Sequence, residues 1–163
     1  MRASVYLALP VMILLAILQT AVLPHLPILG LVPQFPFLVA LAWGLLHDTE
    51  EGVTWAFVGG LFADLFSLTP LGLTALIWML ASLAVIQLTQ IFPTSRFILP
   101  ALAGGLGTLF TILLSFVLLR LFGYQTSVET ITAVLPLAIL HGILILPVYW
   151  LMYTILQRQR PRR

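Results

Sequence analysis

Six apolar runs, divided by short polar or proline-rich interruptions, make up most of the chain. A helix needs about 20 apolar residues to cross about 30 Å of hydrocarbon. Runs at about 4–23, 71–90, 97–121 and 130–157 reach that length. The first contains Pro10, expected to bend its early turns. It ends in PHLPILGLVPQFP, where Pro24, Pro27, Pro33 and Pro36 exclude a regular helix, so this stretch is expected to run irregularly along the membrane surface. The second run, about 35–47, is short; twelve helical residues would cover about 18 Å. The knot HDTEEG follows, and the spacing of Asp48 and Glu51 predicts a capped third helix over about 50–67. Helices two and three either cross fully, dipping at the knot, or form a re-entrant pair; either way both ends of the pair lie on the same side.

The fifth run carries Gly104, Gly105 and Gly107 with Ala101 and Ala103, a small-residue face suited to close helix packing. The sixth contains Pro136 and Pro147 and closes on Tyr149, Trp150 and Tyr153, an interfacial aromatic group, before RQRPRR.

Composition makes this pattern a membrane one. Of 163 residues, 61% are hydrophobic and 7% charged, against about 25% charged in soluble domains. That is too little polar surface to cover a globule in water. Arg2 before an apolar run resembles a signal peptide, yet no small-x-small cleavage pattern follows, which reads as a retained first span. Cysteine is absent, which excludes disulfides and thiolate chemistry. All seven basic residues are arginines, four of them in the last six positions, so the pI of 9.5 reflects a tail rather than a nucleic-acid surface. With six crossings, Arg2, Arg96, Arg158, Arg160, Arg162 and Arg163 fall on one side and Arg120 on the other. The positive-inside rule then makes both termini cytoplasmic. The expected fold is an all-α membrane protein, a compact bundle of six transmembrane helices forming a single domain over 1–163.

Few side chains remain as candidates for chemistry. Asp64 lies in an apolar run, where a mid-membrane carboxylate costs about 2.5–3.5 kcal/mol. It is either a latch or binding group facing the bundle interior or a half-solvated helix-ending residue. Its natural partner by depth is Arg120. His141 is either a relay or ligand group or a neutral imidazole bonded to backbone or hydroxyl. His25, His47 and His141 show no metal-ligand spacing. No nucleophile–base pair, phosphate loop or HExxH motif occurs, and neither an enzyme nor a cofactor is expected. The basic tail serves as a topology anchor or as a contact for a partner or anionic headgroups.

Three stretches resemble the rod-shape-determining membrane protein family MreD. They are PQFPFLVALAWGLLHD (33–48), GVTWAFVGGLFADLFSLTPLGLTAL (52–76), and a last helix with Pro147 running into aromatics and a basic tail. In the middle block the family pattern falls on Gly60, Asp64-Leu65, the turn Ser67 to Pro70, and Leu71-Gly72. The connection HDTEE is more negative than is usual in that family. The resemblance implies an inner-membrane, non-enzymatic scaffold that binds MreC, a single-span protein, beside RodA, a class B penicillin-binding protein and MreB. Such a scaffold would support lateral peptidoglycan synthesis and cell shape. Gly60, Asp64, Pro70, Gly72, Gly104, Gly105 and Arg120 are its expected structural and partner-binding residues. The family is also similar to the substrate-binding S-components of energy-coupling-factor vitamin transporters, which makes a vitamin-binding subunit the alternative. Such a binder needs converging polar groups near the outer face. The outward set of Asp64, Thr69, Arg120, Tyr124 and Gln125 is sparse, which favours the scaffold.

Overall fold

In the computed structural model, which describes residues 3–67, 70–91, 98–124 and 134–159, the shortest helix is the one the others pack around. The order is α1 (Ala3–Ala21), a 3-10 turn (Leu23–His25), α2 (Phe35–Leu46), α3 (Thr49–Leu65), α4 (Leu73–Ile91), α5 (Ile98–Leu121) and α6 (Pro136–Gln159). The expected all-α architecture is present. Among the described residues the only extended pairing is an isolated bridge between Ile28 and Leu31. Helix α2 is apolar on every side, and a helix of that kind is stable only when enclosed. It touches all five other helices. Phe37, Leu38, Ala40, Leu41 and Ala42 have no exposed surface. Phe37 lies 5.5 Å from Trp78 of α4, ring centre to ring centre, and both Phe37 and Leu41 pack on Gly107 of α5. Around this hub α3 pairs with α4, α5 pairs with α6, and α1 packs on α3.

The α2–α3 hairpin is held at its polar knot. Asp48 caps α3, its carboxylate accepting the Glu51 N–H at 2.9 Å, as the three-residue spacing predicted. Glu51 is itself buried and accepts from Trp43 Nε1 at 2.9 Å. Trp43 is stacked between His47 and Trp55, with centroids 4.1 and 4.3 Å away. Gly44 and Gly52 stand where the two helices meet. A Cβ on Gly52 would lie 2.6 Å from Gly44 Cα.

Four helical stretches are long and apolar enough to cross a membrane: Tyr6–His25, Leu73–Ile91, Ile98–Leu121 and Pro136–Gln157. Helix α2 has 12 residues and α3 has 17, with Glu50 and Glu51 in its first turn. The proline-rich connection is more ordered than expected. Pro24 opens the 3-10 turn, where its missing N–H costs nothing. Leu29 and Gly30, both at positive φ, form a tight reversal closed by two Ile28–Leu31 hydrogen bonds of 2.9 Å. Helix α4 begins at Leu73 rather than 71, because Gly72 takes φ +90° in the preceding turn. The expected start of the sixth span at 130, together with Arg2, Arg96, Thr69, Gln125 and the tail beyond Gln159, lies outside the described residues.

Side-chain size, more than polarity, separates inside from outside. Alanines 8, 40, 42, 56, 75, 81 and 103 are fully buried, whereas leucines and isoleucines such as Leu14, Leu113, Ile139 and Ile143 are more than half exposed. Lipid tails are as apolar as leucine, so close approach rather than water exclusion holds such helices together.

Gly52→Ala should destabilise the protein by about 1–3 kcal/mol, read as a lower unfolding midpoint in mild detergent. Gly105→Ala is the control. Its Cβ would stand 3.4 Å from Ala138 O, an ordinary contact, and the midpoint should not move.

Candidate functional site

Gly60 and Asp64 are one helical turn apart and face the first turn of α4. At Gly60 the two backbones nearly touch. A Cβ there would sit 2.5 Å from Ala75 Cα and 2.7 Å from Ala75 N. That approach brings the Asp64 carboxylate, 3% exposed, onto the end of α4. Its Oδ2 accepts from Gly72 N at 2.9 Å and Ala75 N at 3.2 Å, and its Oδ1 accepts from Thr74 N at 3.1 Å. The first amides of a helix have no partner within it, and the positive end of the helix dipole favours a carboxylate. Asp64 is thus an N-cap supplied by a neighbouring helix. The turn fits around it: Pro70 O accepts from Leu73 N at 3.1 Å, Asp64 O accepts from Ser67 N at 3.1 Å, and Gly72 supplies the positive φ.

Arg120 is elsewhere. Helices α3 and α5 do not touch. The guanidinium of Arg120 lies 4.9 Å over the ring of Phe116 on its own helix, and its side chain is exposed. The expected Asp64–Arg120 pair is therefore not formed. Asp64 meets its need for donors locally, from backbone amides eight to eleven residues on.

His141 of α6 is the second polar centre, with no exposed surface. Its Nε2 accepts the Gln34 N–H at 2.9 Å, and Thr108 Oγ1 lies 2.7 Å from its Nδ1. Thr108 donates to Gly104 O at 2.7 Å. A nitrogen that accepts an amide cannot carry a proton, so the network assigns the proton to Nδ1 and directs it to Thr108 Oγ1. This matches the reading of His141 as a neutral imidazole bonded to backbone and hydroxyl. Beside it, Gln19 Oε1 of α1 accepts from Phe35 N at 3.1 Å. The N-terminus of α2 is therefore capped from two other helices, α1 and α6.

The small residues of α5 face this same centre. A Cβ on Gly104 would lie 2.8 Å from His141 O and 2.9 Å from an Ile145 methyl group. Gly60 and Gly104, expected as structural and partner-binding residues, pack against α4 and α6 of this chain. Gln19, Gln34, Thr108, Gly44 and Gly52 were not among the expected site residues. For Gln19 and Thr108 the available signal was an isolated polar residue in an apolar run, whereas Gln34 stands in the proline-rich connection.

Chemically, these groups are acceptors for helix-end amides. The converging polar cluster that a vitamin binder requires is not formed among the described residues, since the Asp64 oxygens face α4 amides while Arg120 and Tyr124 are exposed. The described residues also contain no group of three potential metal ligands.

A family model described as rod shape-determining protein MreD matches residues 1–159. No curated protein and no solved structure matches the chain.

Asp64→Ala should cost on the order of 2–3 kcal/mol by stranding α4 amides, and Asp64→Asn less, because one acceptor remains. Amide exchange at 72–75 should accelerate, whereas Arg120→Ala leaves stability unchanged. A charge-swapped Asp64→Arg, Arg120→Asp double variant should recover nothing. Separately, His141→Leu should speed exchange of the Gln34 amide and lower the midpoint by about 1–3 kcal/mol; unchanged exchange would show that the imidazole is not its acceptor.

Proposed function

The chain belongs to the MreD family of rod shape-determining proteins, and from that premise we propose that it is a non-enzymatic inner-membrane scaffold whose role is to hold the transmembrane helix of MreC. In this reading it supports lateral peptidoglycan synthesis as part of an assembly with RodA, a class B penicillin-binding protein and MreB. The observation that carries the proposal is the family match over nearly the whole chain.

The buried polar groups support a scaffold. Asp48, Asp64 and His141 are each bonded to backbone amides at a helix N-terminus. Groups so engaged hold geometry, and a rigid bundle is what a binding platform for another helix requires. The topology we assign has six crossings with cytoplasmic termini, α2 and α3 traversing as a hairpin whose short first member is enclosed by the rest. The apolar side chains covering α1, α4, α5 and α6 are suited to lipid and to partner helices alike.

Affinity purification of the tagged chain in mild detergent tests this. MreC should co-purify with RodA and the class B penicillin-binding protein, and depletion of the chain should turn rod-shaped cells round. Recovery of a bound vitamin with ATP-driven uptake, and no single-span partner, would overturn it.

A further inference from the structure

The connection between α1 and α2 is a loop without the composition of one. A chain that turns in water is rich in Gly, Asn, Asp and Ser, and its backbone is open to solvent. Here no charged residue stands between Arg2 and Asp48. From Val22 to Gln34, VLPHLPILGLVPQ, the only polar side chains are those of His25 and Gln34. The apolar ones are nevertheless outside: Val22 is 41% exposed, Leu26 64%, Ile28 38% and Leu29 91%. Leu29 holds φ 53° at the tip of the reversal. In that region a bulky side chain is an outlier, and Gly or Asn are the common occupants.

The backbone of the same segment is satisfied as a chain out of water must be. Among residues 22–36, Pro24, Pro27, Pro33 and Pro36 have no N–H to satisfy. Val22, His25 and Leu26 donate to carbonyls one turn back, and Ile28 and Leu31 donate to each other's carbonyls. Gln34 donates to His141 Nε2 and Phe35 to Gln19 Oε1. Unpaired amides are what keep irregular chain out of lipid, and here that obstacle is largely removed. A protein partner would be met by a polar rim around an apolar centre. This segment offers none beyond His25, and it continues the exposed Leu14, Ile17 and Leu18 of α1, a span of which 17% is buried in the bundle. We infer that the α1–α2 connection is an interfacial anchor. It lies at the boundary of headgroups and acyl chains in the outer leaflet, with Leu26, Ile28 and Leu29 in contact with hydrocarbon. The anchor needs no bound partner and so stands apart from the scaffold reading; its leaflet follows from the topology assigned above.

The chain has no cysteine, so a single introduced thiol carries a polarity-sensitive fluorophore at one known site. Leu26→Cys and Leu29→Cys are labelled in the full chain, with Glu50→Cys at the exposed polar knot as the aqueous control. Each is reconstituted without partners into vesicles of phosphatidylethanolamine and phosphatidylglycerol. Emission from 26 and 29 should be blue-shifted, and quenched about twofold or more by lipids brominated near the glycerol end of the acyl chain. Lipids brominated near the methyl end should quench less, and position 50 should not respond. Leu29→Asn suits the positive φ. Combined with the label at 26, it should weaken the quenching while leaving the unfolding midpoint in detergent unchanged, which separates an anchor from a turn that only holds the fold. Water-like emission without quenching at 26 and 29 would overturn the anchor. Shielding that appears only when the single-span partner is reconstituted alongside would overturn it too, by making the loop a protein contact. So would self-quenching that grows with the protein-to-lipid ratio, which would make it a contact between copies.

Discussion

A backbone N–H at a buried helix end has no water to bond, and leaving it unpaired costs more than most side-chain contacts return. Among the described residues, three helix starts meet that demand with side chains. Asp48 caps α3 from the preceding residue, Asp64 caps α4 from α3, and His141 with Gln19 caps α2 from α6 and α1. The distribution of polar residues in a chain that is only 7% charged becomes intelligible on this basis. Asp64, His141 and Gln19 stand beside helix starts inside the bundle, and each joins two elements that hydrophobicity alone would leave free to slide in lipid.

Caps supplied by another helix work only if that helix comes close enough, and here small residues decide. Gly60 lets α3 approach α4 until Asp64 reaches three amides. Gly104 lets α5 approach the His141 carbonyl, which sets Thr108 beside the imidazole. At the opposite end of the hairpin, Gly44 and Gly52 hold α2 against α3 while Glu51 takes the Trp43 indole N–H. In each case the glycine and the polar group sit close together in the sequence, one providing distance and the other direction. Helix α2 depends on this most. It is too short to rely on lipid contacts, so its ends and its surface are satisfied by its neighbours.

What could be read from the sequence follows the range of the interaction. The Asp48 cap was legible because donor and acceptor are three residues apart. The Gly60–Asp64 corner was recognisable as a unit, yet its partner was misassigned. A charged residue suggests an opposite charge, and backbone amides at 72–75 carry no sequence signature. For His141 the state of the ring was foreseeable, whereas its donor at Gln34, 107 residues away, was set by how α6 lies on α2. Gly44 and Gly52 were missed because glycines flanking a polar knot look like turn residues. The small-residue face of α5 was legible as a close-packing surface; that it meets α6 of the same chain needed the three-dimensional arrangement.

The same constraint bears on how such a bundle recognises anything else. With Asp64, His141 and Gln19 bound to helix-end amides, polar recognition through these groups would require breaking a cap, at a cost of whole kcal/mol. Recognition is then left to the outer surface, where leucine and isoleucine predominate and contact with lipid is nearly as favourable as contact with protein. Selectivity there has to come from shape, from the regular spacing of side chains along a helix, and from the rare charge.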